Sequence, residues 1–445
     1  MESPKIFKDR KKGFYLNIIS KFWISHVIAL LWMCLSIYLA QPWLTDLSHI
    51  ISFPLALLVI TGICYIPGYM NAFLVASLIL DKQPAFNFKY PNDDVTLLIA
   101  AYNEEDKIYN TLHYISQQDY HGVIRVILIN NNSKDHTVIN ALKAKKDFNL
   151  TLDILHEEKL GKFHALNLGL KHVQTPYLIT LDADTILHKS AIRYLVSRIK
   201  SSPMDVAAVA GSVLVKNSRD NLLTKTQEWD YFLGIASIKR LQGLYQGTLV
   251  AQGAFSLYKT DSIRELNGWP DAIGEDIVLS WKLLEKRWRI YFEPLSVAFT
   301  EVPSSLIHFI RQRSRWARGM IEGIKQVKPW QQPRIYTKYL TGINLIMPYL
   351  DITYTFCWIP GLVLALFGHY WIVGPMTLFV LPLTIISYSI LYLYQSRVVF
   401  KRLNLKVRRN LVGFIFFIIG YQMIMSPVSV YGYIQEFFKI SRKWK

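Results

Sequence analysis

Cysteine is nearly absent: Cys34, Cys64 and Cys357 are the only three in 445 residues. They lie far apart inside apolar runs, so neither a disulfide framework nor the paired spacing of a zinc site is available. Charge is the second scarcity. Asp, Glu, Lys and Arg make up 18% of the chain against 51% apolar residues. Soluble domains average roughly 25% charged, so part of this chain is expected in lipid, and a disordered or collagen-like chain is excluded. Acids are scarcer than bases, 32 against 50, which leaves a formal charge of +18. That excess admits nucleic acid, an anionic membrane surface or a negatively charged substrate. No nucleic-acid-binding module signature appears, and much of the excess flanks apolar stretches, so nucleic acid is set aside. Glycine-rich phosphate loops, internal repeats and low-complexity tracts are also missing.

Long apolar stretches are plentiful. They fall at 22–40, 52–80, 343–367, 370–394 and 411–437, each about the length a spanning helix needs, roughly 20 residues. No small-x-small cleavage site precedes Gln41-Pro42-Trp43, so the first reads as a span and not a secretory leader. Lys5, Lys8, Arg10, Lys11 and Lys12 precede it, residues 41–50 carry no Lys or Arg, and the connector 397–409 carries six basic residues and no acid. Placing the basic segments inside puts the polar middle of the chain in the cytoplasm of a multi-pass plasma-membrane protein. Five spans would then leave the basic tail 439–445 outside, against the same rule. Stretch 411–437 is about 40 Å as one helix and cannot cross twice. Either the tail is an exception or Ser426-Pro427 breaks the stretch into a re-entrant shape. The expected layout is 1–80 as tail and two spans, 81–303 as catalytic domain, 304–341 as an amphipathic interface helix, and 342–445 as three membrane segments and the tail.

The polar middle alternates β-branched runs (95–100, 125–129, 150–155, 177–181, 206–210) with helical patterns (104–117, 134–146, 162–172, 190–200). The alternation predicts an α/β domain with a mostly parallel sheet and helices on both faces. Ligands of such sheets gather at the carboxyl ends of the strands. Ala101-Tyr102-Asn103-Glu104 follows the first strand, Asn130-Asn131-Asn132-Ser133 the second and Asp182-Ala183-Asp184 the fourth. Asp182 and Asp184 can hold Mg²⁺ or Mn²⁺ through oxygen and bridge it to a diphosphate; the plainer alternative is a helix cap. Glu275-Asp276 opens a helical run, either complementing its dipole or supplying a general base. Gln312, Arg315 and Trp316 lie on an amphipathic helix, where arginine meets either lipid phosphates or a diphosphate, and tryptophan a sugar face. The stretch 222–244, with Trp229, Tyr231, Phe232 and Ile235, is expected against the bilayer.

Asn103-Glu104, Asp182-x-Asp184, Glu275-Asp276 and Gln312-x-x-Arg315-Trp316 occur in the order found in the processive family 2 glycosyltransferases, inverting membrane-embedded polysaccharide synthases, which this chain therefore resembles. Within them it is most similar to the poly-β-1,6-N-acetylglucosamine synthases, through Gly161-Lys162-x-x-Ala165-Leu166-Asn167, Leu181-Asp182-Ala183-Asp184-Thr185 and Trp281-Lys282-Leu283. The resemblance implies a GT-A-like domain between membrane helices, two before it and three after. It implies that Ala101, Tyr102, Glu104 and Asn131 hold the uridine of a UDP-sugar, that Lys162 and Asp182 contact the nucleotide, and that Asp184 binds the metal. Asp276, beside Glu275, would be the base, while Gln312, Arg315 and Trp316 would clamp diphosphate and acceptor. Expected partners are the UDP-sugar, a carbohydrate acceptor, membrane lipids and a small membrane subunit. Three positions depart from the family pattern: Asn131 replaces the Asp expected at uracil, Gly274 a Thr, and Ala317-Arg318-Gly319-Met320 an Ala-Gln-Gly-Gly. The competing expectations are a single-transfer enzyme making a glycolipid and a catalytically silent membrane scaffold.

Overall fold

The computed structural model describes residues 16–82, 84–374 and 380–440. The basic residues Lys5 to Lys12, residues 375–379 of the fourth apolar stretch and 441–445 of the tail lie outside them. Eight strands form one sheet: β1 (Val95–Ala101), β2 (Ile124–Asn130), β3 (Leu152–His156), β4 (Tyr177–Leu181), β5 (Ile186–Leu187), β6 (Val206–Val215), β7 (Phe255–Lys259) and β8 (Arg289–Thr300). Their order is β3-β2-β1-β4-β7-β6-β8-β5. Every expected strand is present, but the sheet is mixed. The β3-β2-β1-β4 half is parallel, as is the β6/β8 pair. In contrast, β7 runs antiparallel to both β4 and β6, and β5 to β8. The strands that break the expected pattern are three the sequence reading passed over. β5 has two residues, β7 has five with Ser256 and Lys259 in it, and β8 is interrupted by Glu293 and Pro294, so none presents a clean apolar run.

Side chains alternate across the sheet, as the two-residue strand period requires. Leu97 and Ile99 pack with Leu112, Ile115 and Leu195 on one face. Leu98 and Leu178 pack with Leu166, Leu283 and Trp281 on the other, and this second core runs on to Phe22 and Phe73 of the two N-terminal apolar helices. A buried ion pair between Arg240 and Asp81 ties the end of the helix Ile66–Leu80 to the helix Ala236–Leu244.

Among the described residues three helices are long and apolar enough to cross a membrane: Ile18–Leu39, Phe53–Leu80 and Ile335–Leu366. The last stretch forms two helices, Leu411–Ile419 and Tyr421–Phe437, bent by 53°. The break falls at Gly420 and not at Ser426-Pro427, one of the two alternatives, which lies inside the second helix. Glycine suits such a break because it loses more backbone freedom than other residues on entering a helix. Of the fourth stretch, the helix Val380–Tyr394 is described.

One close contact positions everything that follows. Gly274, at the start of the helix Glu275–Glu285, touches Gly319 of the helix Leu306–Gln326. A Cβ on either glycine would sit 2.9 Å from the other's Cα. Gly323 extends the seam against Ile277, and Glu322 accepts a hydrogen bond from the Ile273 amide at 2.7 Å. Replacing Gly319 with valine should force the helices apart and cost about 1–3 kcal/mol as overpacking. The expected result is a lowered thermal midpoint in detergent; an unchanged midpoint would show that the seam tolerates separation.

Candidate active site

A cavity of about 600 Å³ opens where the carboxyl ends of β1 and β4 meet the two seamed helices. Because β7 is antiparallel to β4, the loop before β7 comes back to the end of β4, and the Asp182 amide donates to the Ala254 carbonyl at 3.3 Å. This return brings Gly253 into the cavity wall. A Cβ there would lie 2.7 Å from the Lys162 Nζ, so glycine leaves the room in which that ammonium sits.

Lys162 begins the helix Lys162–His172 and its Nζ lies 2.5 Å from Asp182 Oδ1 and 3.9 Å from Glu275 Oε1. Burial opposes its charge, yet Asp182, Glu275 and Asp276 together outweigh burial and raise its pKa above that of ordinary lysine. Glu275 is 9% exposed. Burial, reinforced by the neighbouring Asp276, pushes its carboxyl up to about 7 against the pull of Lys162 and Arg315. Asp184 is pushed up to about 6, first by burial and then by Asp182. Its Oδ1 accepts from the hydroxyls of Thr185 and Thr300, each at 3.2 Å. Asp276 is held through both oxygens: Oδ2 accepts from the Gly253 amide at 3.1 Å and Oδ1 from the Ile277 amide at 2.9 Å.

The opposite wall is the helix Leu306–Gln326. Arg313 is buried behind it, paired with Asp230 at 2.9 Å, and its guanidinium lies 4.0 Å from the Trp316 ring centre. This cation–π contact sets the ring beside Tyr231, at 6.5 Å between centroids. Trp316 is nevertheless 38% exposed, a large aromatic face turned to solvent. Arg315 has no ion pair or hydrogen bond among the described residues and feels the charge of Glu275. The Gln312 Oε1 is buried without a hydrogen-bond partner.

Of the twelve residues singled out from the sequence, ten border this cavity: Tyr102, Glu104, Lys162, Asp182, Asp184, Glu275, Asp276, Gln312, Arg315 and Trp316. Ala101 and Asn131 do not. Asn131 is fully buried, and its amide is spent on the scaffold. It donates to the carbonyls of Glu157 and Lys159 and accepts from the Gly161 amide at 2.8 Å. The loop after β2 likewise braces the loop after β1, through the Asn103 Oδ1 and Lys134 amide, the Ser133 hydroxyl and Asn103 amide, and the Thr137 hydroxyl and Glu104 amide.

The stretch 222–244 is the larger surprise. Its outer face, with Trp229 and Phe232, packs on Tyr392, Phe400 and Phe414. A wide helical turn over Asp230–Ile235 then aims Tyr231, Ile235, Lys239 and Gln242 into the cavity. Such turns recur at functional sites. The signal available in the sequence was Lys239-Arg240, two adjacent cations in a stretch that mixes aromatic and aliphatic residues with charges.

The carboxylates fit a hard divalent cation. Asp184 offers an oxygen, Oδ2, with no protein partner among the described residues, and Asp182 lies beside it. No third His, Cys, Asp or Glu completes a cluster among those residues. That donor set suits Mg²⁺ or Mn²⁺, which commonly take one or two carboxylates and leave the rest to substrate phosphates and water.

The profile described as "Glycosyltransferase like family 2" matches residues 91–319. The chain belongs to this glycosyltransferase family. It is 36% identical over 243 residues to the poly-β-1,6-N-acetyl-D-glucosamine synthase of Staphylococcus aureus strain MSSA476, covering 54% of this chain and 57% of that one. To the synthase of the same name from Staphylococcus epidermidis it is 30% identical over 275 residues, 61% and 65% of the two chains. The chain thus matches somewhat under two thirds of these curated relatives' lengths. In fold it is similar to a mannosyltransferase from Pyrobaculum calidifontis solved with GDP-mannose and Mn²⁺, with a TM-score of 0.55, 17% identity, and 84% and 95% of the two chains covered. The likeness supports a GT-A-like arrangement of the α/β domain.

The raised Glu275 pKa carries a stability consequence for this family 2 transferase. A carboxyl that holds its proton more tightly folded than unfolded stabilises the fold at low pH, and that contribution is lost as pH rises from about 4.5 through about 7. Without nucleotide or metal, the thermal midpoint is expected to fall across that window, and less so in Glu275→Gln. Parallel profiles for the two proteins would contradict the buried, proton-holding state of Glu275.

Proposed function

We propose that this protein is an inverting, metal-dependent membrane transferase that moves N-acetylglucosamine from its UDP-linked donor to a growing β-linked polysaccharide. The reading extends to export of the chain across the plasma membrane, with the catalytic domain cytoplasmic. It is carried by one observation: Asp276, the Lys162–Asp182–Asp184 group and Gln312–Arg315–Trp316 border a single cavity. The named Staphylococcus synthases support the sugar and the polymer. The three apolar helices and the basic connector 397–409 support the membrane placement.

In this mechanism Asp276 takes the proton from an acceptor hydroxyl, whose oxygen then attacks the anomeric carbon from the face opposite the diphosphate. The C–O bond to the diphosphate breaks, UDP carries away the electron pair, and an α-linked donor becomes a β-linked product. The two backbone amides on Asp276 fix the direction of its carboxylate, the positioning a general base needs. No covalent enzyme intermediate is required. Arg315, uncommitted among the described residues, pairs with the diphosphate, and Arg is suited to such contacts because its fork can bind two oxygens at once. The exposed Trp316 face stacks on the acceptor ring. Asp182 and Asp184 would hold Mg²⁺ or Mn²⁺, which supplies charge neutralisation at the leaving diphosphate when bound.

The decisive measurement is UDP release by the detergent-solubilised protein with Mg²⁺ or Mn²⁺, comparing UDP-N-acetylglucosamine, UDP-glucose and UDP-glucuronate. Turnover with the first and long products on a gel are expected; single-sugar products would overturn the polymerase. Asp276→Asn should keep donor affinity and lower turnover by about 10²-fold or more. Near-wild-type turnover in that variant would remove Asp276 as base. Asp184→Ala should abolish the metal-dependent part of UDP affinity, and equal affinities with and without metal in the parent protein would count against the metal site.

A further inference from the structure

Lys239 is 8% exposed, yet it borders the cavity that holds Asp276. Its Nζ donates to the Val250 carbonyl at 2.8 Å, and no carboxylate among the described residues lies within ion-pair distance of it. Burial lowers its pKa to about 8, with the charge of Asp276 acting in the other direction. A desolvated ammonium with one carbonyl partner retains two unspent N–H donors and is costly to keep in place. The surroundings show what would use it. Gln242, one turn on from Lys239, accepts from the Leu249 amide at 3.0 Å and keeps its own N–H₂ group unspent. Gln252 donates to the Gly211 carbonyl at 2.8 Å and keeps its side-chain carbonyl. The neighbouring Ser212 hydroxyl has no partner among the described residues. Ile235 and Phe292 supply apolar wall.

Strong donor, acceptor and apolar surface together are the complement of an acetamido group, which carries a carbonyl oxygen, an N–H and a methyl. Among the neutral substituents of a sugar ring, the amide carbonyl is the strongest acceptor, and Lys239 already holds one in Val250. We propose that Lys239 is a specificity-determining residue that donates to the acetamido carbonyl of the transferred sugar, with Ser212 or Gln252 accepting its N–H. The proposal rests on the transferase reading above and names the group by which the sugar is chosen.

The test compares kcat/KM for UDP-N-acetylglucosamine and UDP-glucose in the full-length protein and in Lys239→Met and Lys239→Gln, with UDP affinity measured alongside. Loss of a hydrogen bond from a charged donor predicts a fall of roughly ten-fold or more in the preference for the acetamido donor in Lys239→Met. UDP affinity should be unchanged, and Lys239→Gln, which keeps an N–H donor, should retain part of the preference. If Lys239→Met does not fold, Lys239→Gln carries the test, with a smaller fall expected. An unchanged preference, or an equal loss for both donors and for UDP, would overturn the assignment. So would a wild-type protein that uses the two donors equally, which would leave the transferase itself standing. No wild-type turnover with any UDP-sugar would instead bring down the transferase reading, and this subsite with it.

Discussion

Two glycines in backbone contact set the geometry on which the rest of the site depends. Gly274 precedes the acid pair Glu275-Asp276, and Gly319 lies one turn beyond Arg315 and Trp316. Because neither carries a Cβ, the two helices approach until their backbones touch. The acids are thereby held across the cavity from the arginine and the tryptophan. Glu322 and Gly323 extend the seam over a further turn, so the approach is fixed in register as well as in distance. Transfer between two sugars needs reacting atoms within a few tenths of an ångström of contact, and side chains on two independent helices would not meet that tolerance. Gly274 and Gly319 are also where the sequence leaves the usual family pattern or abuts a departure, and the contact gives both a structural reason.

The second constraint is charge. Asp182, Asp184, Glu275 and Asp276 share one enclosure with Lys162, which is committed to Asp182 and Glu275, and with Lys239, which holds only the Val250 carbonyl among the described residues. Burial already disfavours the ionised forms of Asp184 and Glu275. A diphosphate entering beside them adds more negative charge to a space that screens it poorly. Arg315 and Lys239 border the cavity without an ion pair among the described residues, and two positive charges do not outweigh a diphosphate and its adjoining carboxylates. This imbalance supports the proposed divalent ion on physical grounds, apart from any likeness to other proteins.

The legible and the illegible parts of the sequence differ in kind. Residues at strand ends and in acid pairs were legible, because a polar cluster after an apolar run stands out and Asp182, Asp184, Glu275 and Asp276 all end up on the cavity. Asn131 lies off the cavity lining for a physical reason. A strand-end asparagine serves equally well as a ligand contact or as a brace for the next loop, and here the carbonyls of Glu157 and Lys159 take both of its N–H donors and the Gly161 amide bonds to its oxygen. β7 was missed because five residues with Ser256 and Lys259 among them show no clean period. Its antiparallel return, which delivers Gly253, is a tertiary fact with no local signal. Lys239 could have been found. Two adjacent cations in a stretch offered to the bilayer demand an account, but the aromatic residues before them suggested lipid, and the wide turn at Asp230–Ile235 that rotates Lys239 inward leaves no mark in composition.

The helix Leu306–Gln326 belongs to the site and to the apolar part of the molecule at once. Gln312, Arg315 and Trp316 occupy one face. On the other, a Cβ at Gly432 of the C-terminal helix would lie 2.6 Å from the Ser314 carbonyl. Arg318 donates to the Ile440 carbonyl at 2.7 Å, and Lys325 pairs with Glu436 at 2.8 Å. A second tie runs from Asp81, at the end of the second apolar helix, to Arg240, the neighbour of Lys239. The cavity is therefore walled on two sides by elements anchored to the apolar helices. Displacing those helices would shift Trp316 and Lys239 while leaving Asp182 and Asp184, which hang from the sheet, where they are. The sheet-borne carboxylates and the wall that carries Arg315, Trp316 and Lys239 thus rest on different parts of the fold. That division is what an enzyme would need if its product moved past the active site while Asp182 and Asp184 stayed fixed.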